Sequence, residues 1–231
     1  MLVSKNKSNM YADFTTWNPF KGCEFDCTYC IPSFQRQAKR QKHICMDCYT
    51  YTPHFHKERL SKLPSSKNIF ACGNGDISFC PSEQLDMIME VIRVKDDRTF
   101  ILQSKDPATF KRFKEYPSNL ILGTTFETDR ADVYRNVSKA PLPHVRIHSL
   151  KSIKHDRKMI TIEPILKFNH DKMVSWIKQV DPELIWLGFD TKKTPGLKEP
   201  SVDEAMELYE HLVSLGYTVK LKHIPGEKNN A

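Results

Sequence analysis

Three cysteines lie close together early in the chain, in the stretch WNPFKGCEFDCTYC that covers residues 17–30. They are Cys23, Cys27 and Cys30, and their spacing is C-x3-C-x2-C. Thiolates bind soft metals, and a short loop can wrap three of them around one face of an iron–sulfur cluster. A closed structural zinc site normally has four protein ligands, so this spacing favours a four-iron cluster with one iron left open, with zinc as the alternative.

A second group of metal-binding residue types follows in HICMDCYTYTPHFH, residues 43–56. It contains the C-x2-C pair Cys45 and Cys48 and three histidines, His43, His54 and His56. Two thiols with one or two imidazoles could form a tetrahedral zinc site. The same pair could bind a second cluster, act as a redox couple, or be two free thiols in a loop. We favour a separate structural metal site, whose metal the spacing leaves open.

Disulfides are a weaker interpretation of the seven cysteines, which are odd in number. The first residues carry no apolar signal segment and no apolar run is long enough to cross a bilayer, so we expect a soluble, cytoplasmic protein with no membrane partner. Thiols in a reducing compartment are more often metal ligands or catalytic groups. Cys72 lies inside a predicted strand and is expected to be a buried apolar side chain.

The elements that must position these residues alternate between strands and helices, which favours a parallel α/β fold. The chain has 231 residues, which is short for a full eight-unit barrel of about 250 residues. We therefore predict one domain over residues 1–231, a partial (β/α) TIM-like barrel of six or seven parallel strands. The cysteine loop follows its first strand, and a Cys/His-containing insertion covers about 31–60. Predicted strands lie near 14–17 and at 68–74, 99–105, 120–127, 159–166, 183–189 and 218–224.

Helix signals lie between these strands. Apolar residues at helical spacing follow Ser82, and Asp106 with Pro107 forms a helix start. Ser201 and Glu204 form a capping box, and Gly216 stands where a C-terminal cap glycine belongs. A further helix is expected at 171–180, and two short helices between 130 and 155.

Polar side chains come at the ends of successive predicted strands. In β/α folds the active site is built at the carboxyl edge of the sheet, so these side chains are candidates for binding or catalysis. They are Asn74, Asp76, Ser104, Lys105, Thr125, Glu127, Glu163 and Asp190.

With the aromatic Tyr29 before its last cysteine, the C-x3-C-x2-C motif resembles the radical S-adenosylmethionine (SAM) signature. The resemblance implies that the three thiolates hold a [4Fe–4S] cluster whose open iron chelates the amine and carboxylate of SAM. An external reductant then supplies the electron that cleaves SAM to a 5′-deoxyadenosyl radical, which abstracts hydrogen from a substrate. Further blocks resemble, in order, a phage- and prokaryote-associated branch related to spore photoproduct lyase; they are TTWNPFKGC, GNGDISF, TFILQSKDP, LILGTTFE, TIEPIL and VKLKHIPG.

The resemblance also assigns individual residues. GNGD stands where the superfamily has a Gly-Gly-Glu turn that contacts the SAM amine, and it departs from that turn at Asn74 and Asp76. A structural salt bridge at the strand end would explain the presence of the charged residues as well as a role in SAM binding does. The residues assigned to SAM are Tyr29, Gly73, Asn74, Gly75, Asp76, Ser104, Lys105 and Glu127. The catalytic candidates are Glu163, which could bind SAM or substrate, and Cys80, which could donate a hydrogen atom to a substrate radical.

The formal net charge is +7, and part of it lies in SFQRQAKRQKH, between Arg36 and Lys42. Such a patch attracts phosphate backbones, although a solvated basic face has the same composition. We therefore expect a radical SAM enzyme that acts on a nucleic acid or nucleotide-like substrate. A partner protein that completes the pocket is a further expectation. The alternative is a non-catalytic, zinc- or cluster-stabilised protein that binds nucleic acid or a partner protein.

Overall fold

A sheet of seven parallel strands, curled into a half-barrel, forms the centre of the protein. The computed structural model describes residues 13–226. The strands follow one another across the sheet in chain order, which confirms the predicted partial (β/α) barrel with the cysteine loop after its first strand. They are β1 Thr15–Trp17, β4 Asn68–Ala71, β5 Thr99–Gln103, β6 Leu120–Thr125, β7 Lys158–Ile162, β8 Leu184–Leu187 and β9 Val219–Leu221, while β2 Phe20–Lys21 and β3 His54–Phe55 pair separately and antiparallel.

Helices connect the parallel strands and cover one face of the sheet. The predicted capping box of Ser201 and Glu204 is present, and Gly216 has the left-handed backbone expected of a cap glycine. The helix predicted after Asp106 is instead a 3-10 helix, Pro107–Arg112, whose first turn is capped by the Asp106 side chain, which accepts from the Ala108 amide. No helix within residues 13–226 is long and apolar enough to cross a bilayer. The helices are α1 Arg36–Ala38, α2 Met46–Thr50, α3 Ser82–Val94, α4 Ala131–Tyr134, α5 Pro143–Ser152, α6 His170–Val180 and α7 Val202–Ser214.

The two faces of the sheet have different surroundings, because alternate residues of a strand point to opposite sides. On the convex face, strand residues such as Phe100 and Leu102 pack with the helices in one large core, which contains Cys72 as expected. On the concave face, a smaller apolar cluster fills the amino-terminal half of the barrel; its buried members are Phe70, Ile101, Ile121, Met159 and Trp186.

The concave face becomes polar toward the carboxyl ends of the strands. Two residues beyond Ile101 the same face carries Gln103, and two beyond Met159 it carries Thr161. The Gln103 amide donates to Thr125 Oγ1 at 2.8 Å, and Thr161 Oγ1 donates to Gln103 Oε1 at 3.4 Å. An apolar floor and a polar upper wall therefore leave the carboxyl edge as the place where a ligand can bind.

Candidate functional site

A cavity of about 250 Å³ opens at the carboxyl ends of the strands. Its wall combines the cysteine loop, the turn after β4 and the ends of β5 to β9. Three carboxylates (Asp76, Glu163, Asp190) and three ammonium groups (Lys105, Lys192, Lys222) belong to this wall. Of the residues predicted for the cluster or SAM or as catalytic, those that line it are Cys23, Cys27, Tyr29, Cys30, Gly73, Gly75, Asp76, Ser104, Lys105 and Glu163.

The cysteine loop is held on both sides by backbone hydrogen bonds. The Cys23 amide donates to the Tyr51 carbonyl at 3.2 Å, and the Thr28 amide donates to the Val137 carbonyl at 2.9 Å. Gly22, which precedes the loop, has φ +89, and a Cβ there would lie 2.2 Å from the Thr52 carbonyl oxygen. Only glycine allows this approach, so the loop begins at a fixed point.

The three cysteine thiols face the cavity in a largely apolar surrounding. Burial, with a smaller contribution from Asp76, raises the pKa of Cys23, and burial raises the pKa of Cys30 to about 11. The Tyr51 phenol is hydrogen-bonded to Cys30. One short loop therefore brings three thiols to the same cavity wall, as a cluster with three protein ligands requires.

A fully buried carboxylate, Glu127, lies beneath the cysteine loop with both oxygens engaged. Arg146 Nη2 donates to Oε2 at 2.8 Å, Lys105 Nζ donates to Oε1 at 2.7 Å, and the Tyr29 hydroxyl donates to Oε1 at 2.5 Å. The Lys105 ammonium also lies 4.4 Å from the centre of the Tyr29 ring. Burial alone would raise the Glu127 pKa, but Arg146 and Lys105 outweigh it and lower the pKa. Glu127 therefore orients Tyr29 and Lys105, which line the cavity, without lining it itself.

The turn after β4 is held by the buried carboxylate of Asp76. Its Oδ1 accepts the Ser104 hydroxyl at 2.6 Å and the Ser78 amide at 3.0 Å, and its Oδ2 accepts the Lys105 amide at 2.7 Å. Burial raises the Asp76 pKa despite these donors. Asp76 therefore joins the β4 turn to the end of β5, and Ser104 takes part in the same contact.

Glu163 follows β7 and is paired on one side only. Its Oε1 accepts a hydrogen bond from Lys222 Nζ, while its Oε2 is buried with no hydrogen-bond partner among residues 13–226. Burial raises the Glu163 pKa, and Lys222 opposes that shift. A buried carboxylate oxygen without a donor is what a bound cationic or hydroxyl-bearing ligand would satisfy.

Besides Glu127, two predicted site residues lie away from the cavity wall. Asn74 faces the other side of its turn, where its amide donates to Asn18 Oδ1 at 3.0 Å and its carbonyl accepts the Gly22 amide at 3.1 Å. Cys80, expected near the mouth, is 2% exposed and belongs to the convex-face core, because the short helix Ile77–Phe79 turns the chain inward. A role for Cys80 as a hydrogen donor stays a prediction.

Sequence reasoning missed several residues of the site. Tyr51 gave no signal, since its position depends on a left-handed backbone with φ +64 that a tyrosine rarely adopts. Gln103 and Thr161 were detectable as polar residues inside otherwise apolar strands. Arg146 was not, because it lies on a helix without regular apolar periodicity.

The Cys/His group of the insertion comes together in space. Ligand atoms of four residues lie within 4.8 Å of one another, and these residues are Cys45, Cys48, His54 and His56. His43 is exposed and is not part of this group within the described chain. The basic residues between Arg36 and Lys42 are exposed on the same insertion, and Lys39 and Lys42 lie over the Tyr49 ring at 4.5 and 6.0 Å.

No known protein family and no curated protein matches the sequence. Solved structures do match. SuiB of Streptococcus suis bound to S-adenosylmethionine gives a TM-score of 0.57 at 9% identity over 90% of this chain and 50% of SuiB. A spore photoproduct lyase mutant with dinucleoside spore photoproduct gives 0.59 at 11% identity over 88% of this chain and 63% of the lyase. SuiB bound to its precursor peptide SuiA gives 0.56 at 10% identity, over 90% of this chain and 48% of SuiB.

The chain spans about half the length of SuiB and less than two thirds of the lyase. What the matches show is a fold shared with SuiB and with the spore photoproduct lyase.

Proposed function

We propose that this protein is a radical SAM enzyme whose cluster is bound by Cys23, Cys27 and Cys30. The observation that carries the proposal is that these three thiols, presented by one short loop, line the cavity at the carboxyl edge of a half-barrel. When bound, a [4Fe–4S] cluster with SAM at its open iron would supply a 5′-deoxyadenosyl radical on receipt of one electron from an external reductant.

The cavity wall suits the charges of SAM. SAM carries a carboxylate, an ammonium and a sulfonium, and the wall offers both carboxylates and ammonium groups close together. Glu163, with one oxygen unpaired, is the strongest candidate to accept from the SAM amine or ribose. Lys222, which is paired with that carboxylate, would keep it ionised on ligand binding.

The remaining residues act by positioning. Glu127 fixes the Tyr29 ring at the wall, where it could pack against the adenine, and holds Lys105 beside it. Asp76 and Ser104 shape the β4 turn, so that Gly73 and Gly75 present bare backbone to the cavity. Tyr51, hydrogen-bonded to Cys30, closes the wall on the side of the insertion. The apolar cluster that contains Phe70 and Ile101 lies below Gln103 and Thr161 and forms the floor of the cavity.

For the substrate we propose a nucleic acid or nucleotide-like molecule. The basic patch, Arg36, Lys39, Arg40 and Lys42, is exposed on the insertion, and Phe34, which lines the cavity, begins the same stretch. A substrate whose phosphates bound this patch could reach the cavity mouth. The spore photoproduct lyase with a similar fold was solved with a dinucleoside. A partner protein or peptide is the competing substrate, since SuiB was solved with its precursor peptide.

Formation of 5′-deoxyadenosine from SAM tests the catalytic part. The anaerobic, reduced protein should form 5′-deoxyadenosine, and the Cys27→Ala protein should not. The control is Cys72→Ala, which alters a core cysteine and should still form the product. The absence of 5′-deoxyadenosine from a protein that binds iron and SAM would contradict the proposal in favour of a non-catalytic protein.

Binding of single-stranded DNA and RNA at several salt concentrations tests the substrate part. Exchange of Arg36, Lys39, Arg40 and Lys42 for Gln should weaken binding and reduce the slope of log K against log salt by up to about one per removed phosphate contact. The matched control exchanges four exposed lysines on other elements, Lys111, Lys154, Lys178 and Lys193, for Gln. Equal losses from both sets would contradict recognition through the patch.

A further inference from the structure

Four metal-binding side chains meet in the insertion, apart from the cluster cysteines. Cys48 Sγ lies 3.2 Å from His54 Nε2 and 3.2 Å from His56 Nε2. Cys45 Sγ lies 3.6 Å from His54 Nε2, and the two Nε2 atoms lie 2.8 Å apart. A tetrahedral zinc site with two sulfur and two nitrogen ligands has edges of about 3.3–3.8 Å, which is close to these four distances, and all four atoms lie within 4.8 Å of one another.

The outer hydrogen bonds of the histidines determine which ring nitrogen faces inward. His54 Nδ1 lies 2.7 Å from the Thr52 carbonyl oxygen, which can only accept, so Nδ1 carries the proton. His56 Nδ1 lies 3.1 Å from Glu58 Oε1, a carboxylate oxygen that also accepts. In the neutral rings both Nε2 atoms therefore present lone pairs to each other. This is the arrangement by which proteins fix metal-binding histidines, with the second nitrogen held by a carbonyl or carboxylate.

A single cation between these four atoms would satisfy all of their contacts at once. One proton on an Nε2 would satisfy a single contact and leave the other lone pairs and thiols facing each other. Each sulfur atom also faces a donor, since Lys21 Nζ lies 3.1 Å from Cys48 Sγ and the Cys48 amide points to Cys45 Sγ at 3.5 Å.

We propose that Cys45, Cys48, His54 and His56 bind one structural zinc ion. All four positions of a tetrahedron are taken by protein atoms, which leaves no open position for substrate or water and indicates a structural role. Two thiolates with two imidazoles suit zinc, and ligand atoms within 4.8 Å of one another converge on a single ion rather than on two irons of a cluster.

The position of the site indicates which segments the zinc holds together. Two ligands precede Tyr51 and Thr52 in the chain and two follow them, so the metal closes a short loop around these two residues. That loop contacts the cysteine loop through the Tyr51 carbonyl, which accepts the Cys23 amide, and through Thr52, against which Gly22 packs. On the other side the His56 amide donates to the Pro19 carbonyl at 2.7 Å. The zinc therefore anchors the insertion against the start of the cysteine loop.

Metal analysis and X-ray absorption at the zinc edge on the wild-type protein test the assignment. We expect one zinc per chain, with sulfur ligands at about 2.3 Å and nitrogen ligands at about 2.0–2.1 Å in equal number. Cys48→Ser and His54→Gln should lose the zinc, and His43→Gln, the matched control, should keep it. Cys27→Ala should also keep the zinc, because Cys27 is a proposed ligand of the cluster and not of this site. A failure of the zinc assignment can therefore be told apart from a failure of the proposed enzyme activity.

Three results would overturn the assignment. They are wild-type protein without zinc, a zinc spectrum without nitrogen ligands, and loss of iron rather than zinc from Cys48→Ser, which would indicate a second cluster. The spectrum of the wild-type protein decides the question even where a variant fails to fold. For the anchoring role, hydrogen exchange of the Cys27→Ala protein should show loss of protection at the Cys23 and His56 amides when a chelator removes the zinc. Unchanged protection would refute that role.

Discussion

Replacement of Glu127 by Gln is the change whose effect the structure specifies best. The Glu127 and Arg146 side chains are both 0% exposed, and Lys105 is 14% exposed. Glutamine has the same shape, but it leaves two buried cations without their counter-charge and places an amide NH2 group among donors. Removal of one partner from a buried ion pair costs about 3–5 kcal/mol. For a chain of this length, 1 kcal/mol corresponds to about 2–4 °C in Tm, so we expect Tm to fall by about 6–20 °C.

The assays are thermal unfolding, which gives Tm, and equilibrium unfolding in guanidinium chloride, which gives the free energy; both are carried out under anaerobic conditions and followed by circular dichroism. The control is Asp86→Asn, which breaks the exposed ion pair of Asp86 with Lys114 and should cost at most about 1 kcal/mol. If Glu127→Gln costs no more than this control, the network does not hold the site as described.

The pH dependence gives the same prediction a second test. The folded-state pKa of Glu127 lies below the ordinary value of 4.5, so its stabilisation is present above pH 4.5 and is lost as the pH falls through the folded-state pKa. The difference in unfolding free energy between wild type and Glu127→Gln should therefore be constant at neutral pH and shrink in acid. A difference that persists below that range would refute the charge-based explanation.

Two further substitutions test the cysteine loop and the β4 turn. Gly22→Ala should lose most of its bound iron, since a Cβ would lie 2.2 Å from the Thr52 carbonyl oxygen. The control, Gly196→Ala, has φ +82 and open space around it and should keep its iron. Equal iron content in the two variants would contradict the close approach at Gly22. Ser104→Ala should lower the unfolding free energy by about 1–3 kcal/mol, because Asp76 loses a donor at 2.6 Å. Burial already raises the Asp76 pKa, and removal of a donor to the carboxylate raises it further, so this loss should grow as the pH rises through the folded-state pKa of Asp76. Unfolding curves at acid and neutral pH measure this loss, with Ser214→Ala at an exposed position as the control. A loss of unfolding free energy that does not depend on pH would contradict the prediction.

The order of strands and helices could be predicted from the sequence because the strands are buried on both faces and the helices have marked starts. Apolar runs such as LILGTTFE and caps such as Ser201 with Glu204 depend on local chemistry alone. The edge of the sheet that carries the site also followed from the sequence, since polar residues come where the predicted strands end.

The partners of these residues could not be predicted, because they depend on register and burial. On α5, Arg146 is fully buried while its neighbour Val145 is 42% exposed, the reverse of what hydropathy predicts. The charge of Glu127 explains this, since a buried carboxylate requires a buried cation. Likewise the sequence left open whether His43, His54 or His56 joined Cys45 and Cys48, because the choice depends on the pairing of β2 with β3.

The central claim is that Cys23, Cys27 and Cys30 hold a cluster with an iron open to SAM. Low-temperature electron paramagnetic resonance of the anaerobically reconstituted, reduced protein tests it most directly, with and without SAM and beside the Cys27→Ala variant. We expect a [4Fe–4S]⁺ signal whose g-values shift on addition of SAM and which is absent from the variant. A signal indifferent to SAM, or no cluster signal with zinc bound to these three cysteines, would contradict it.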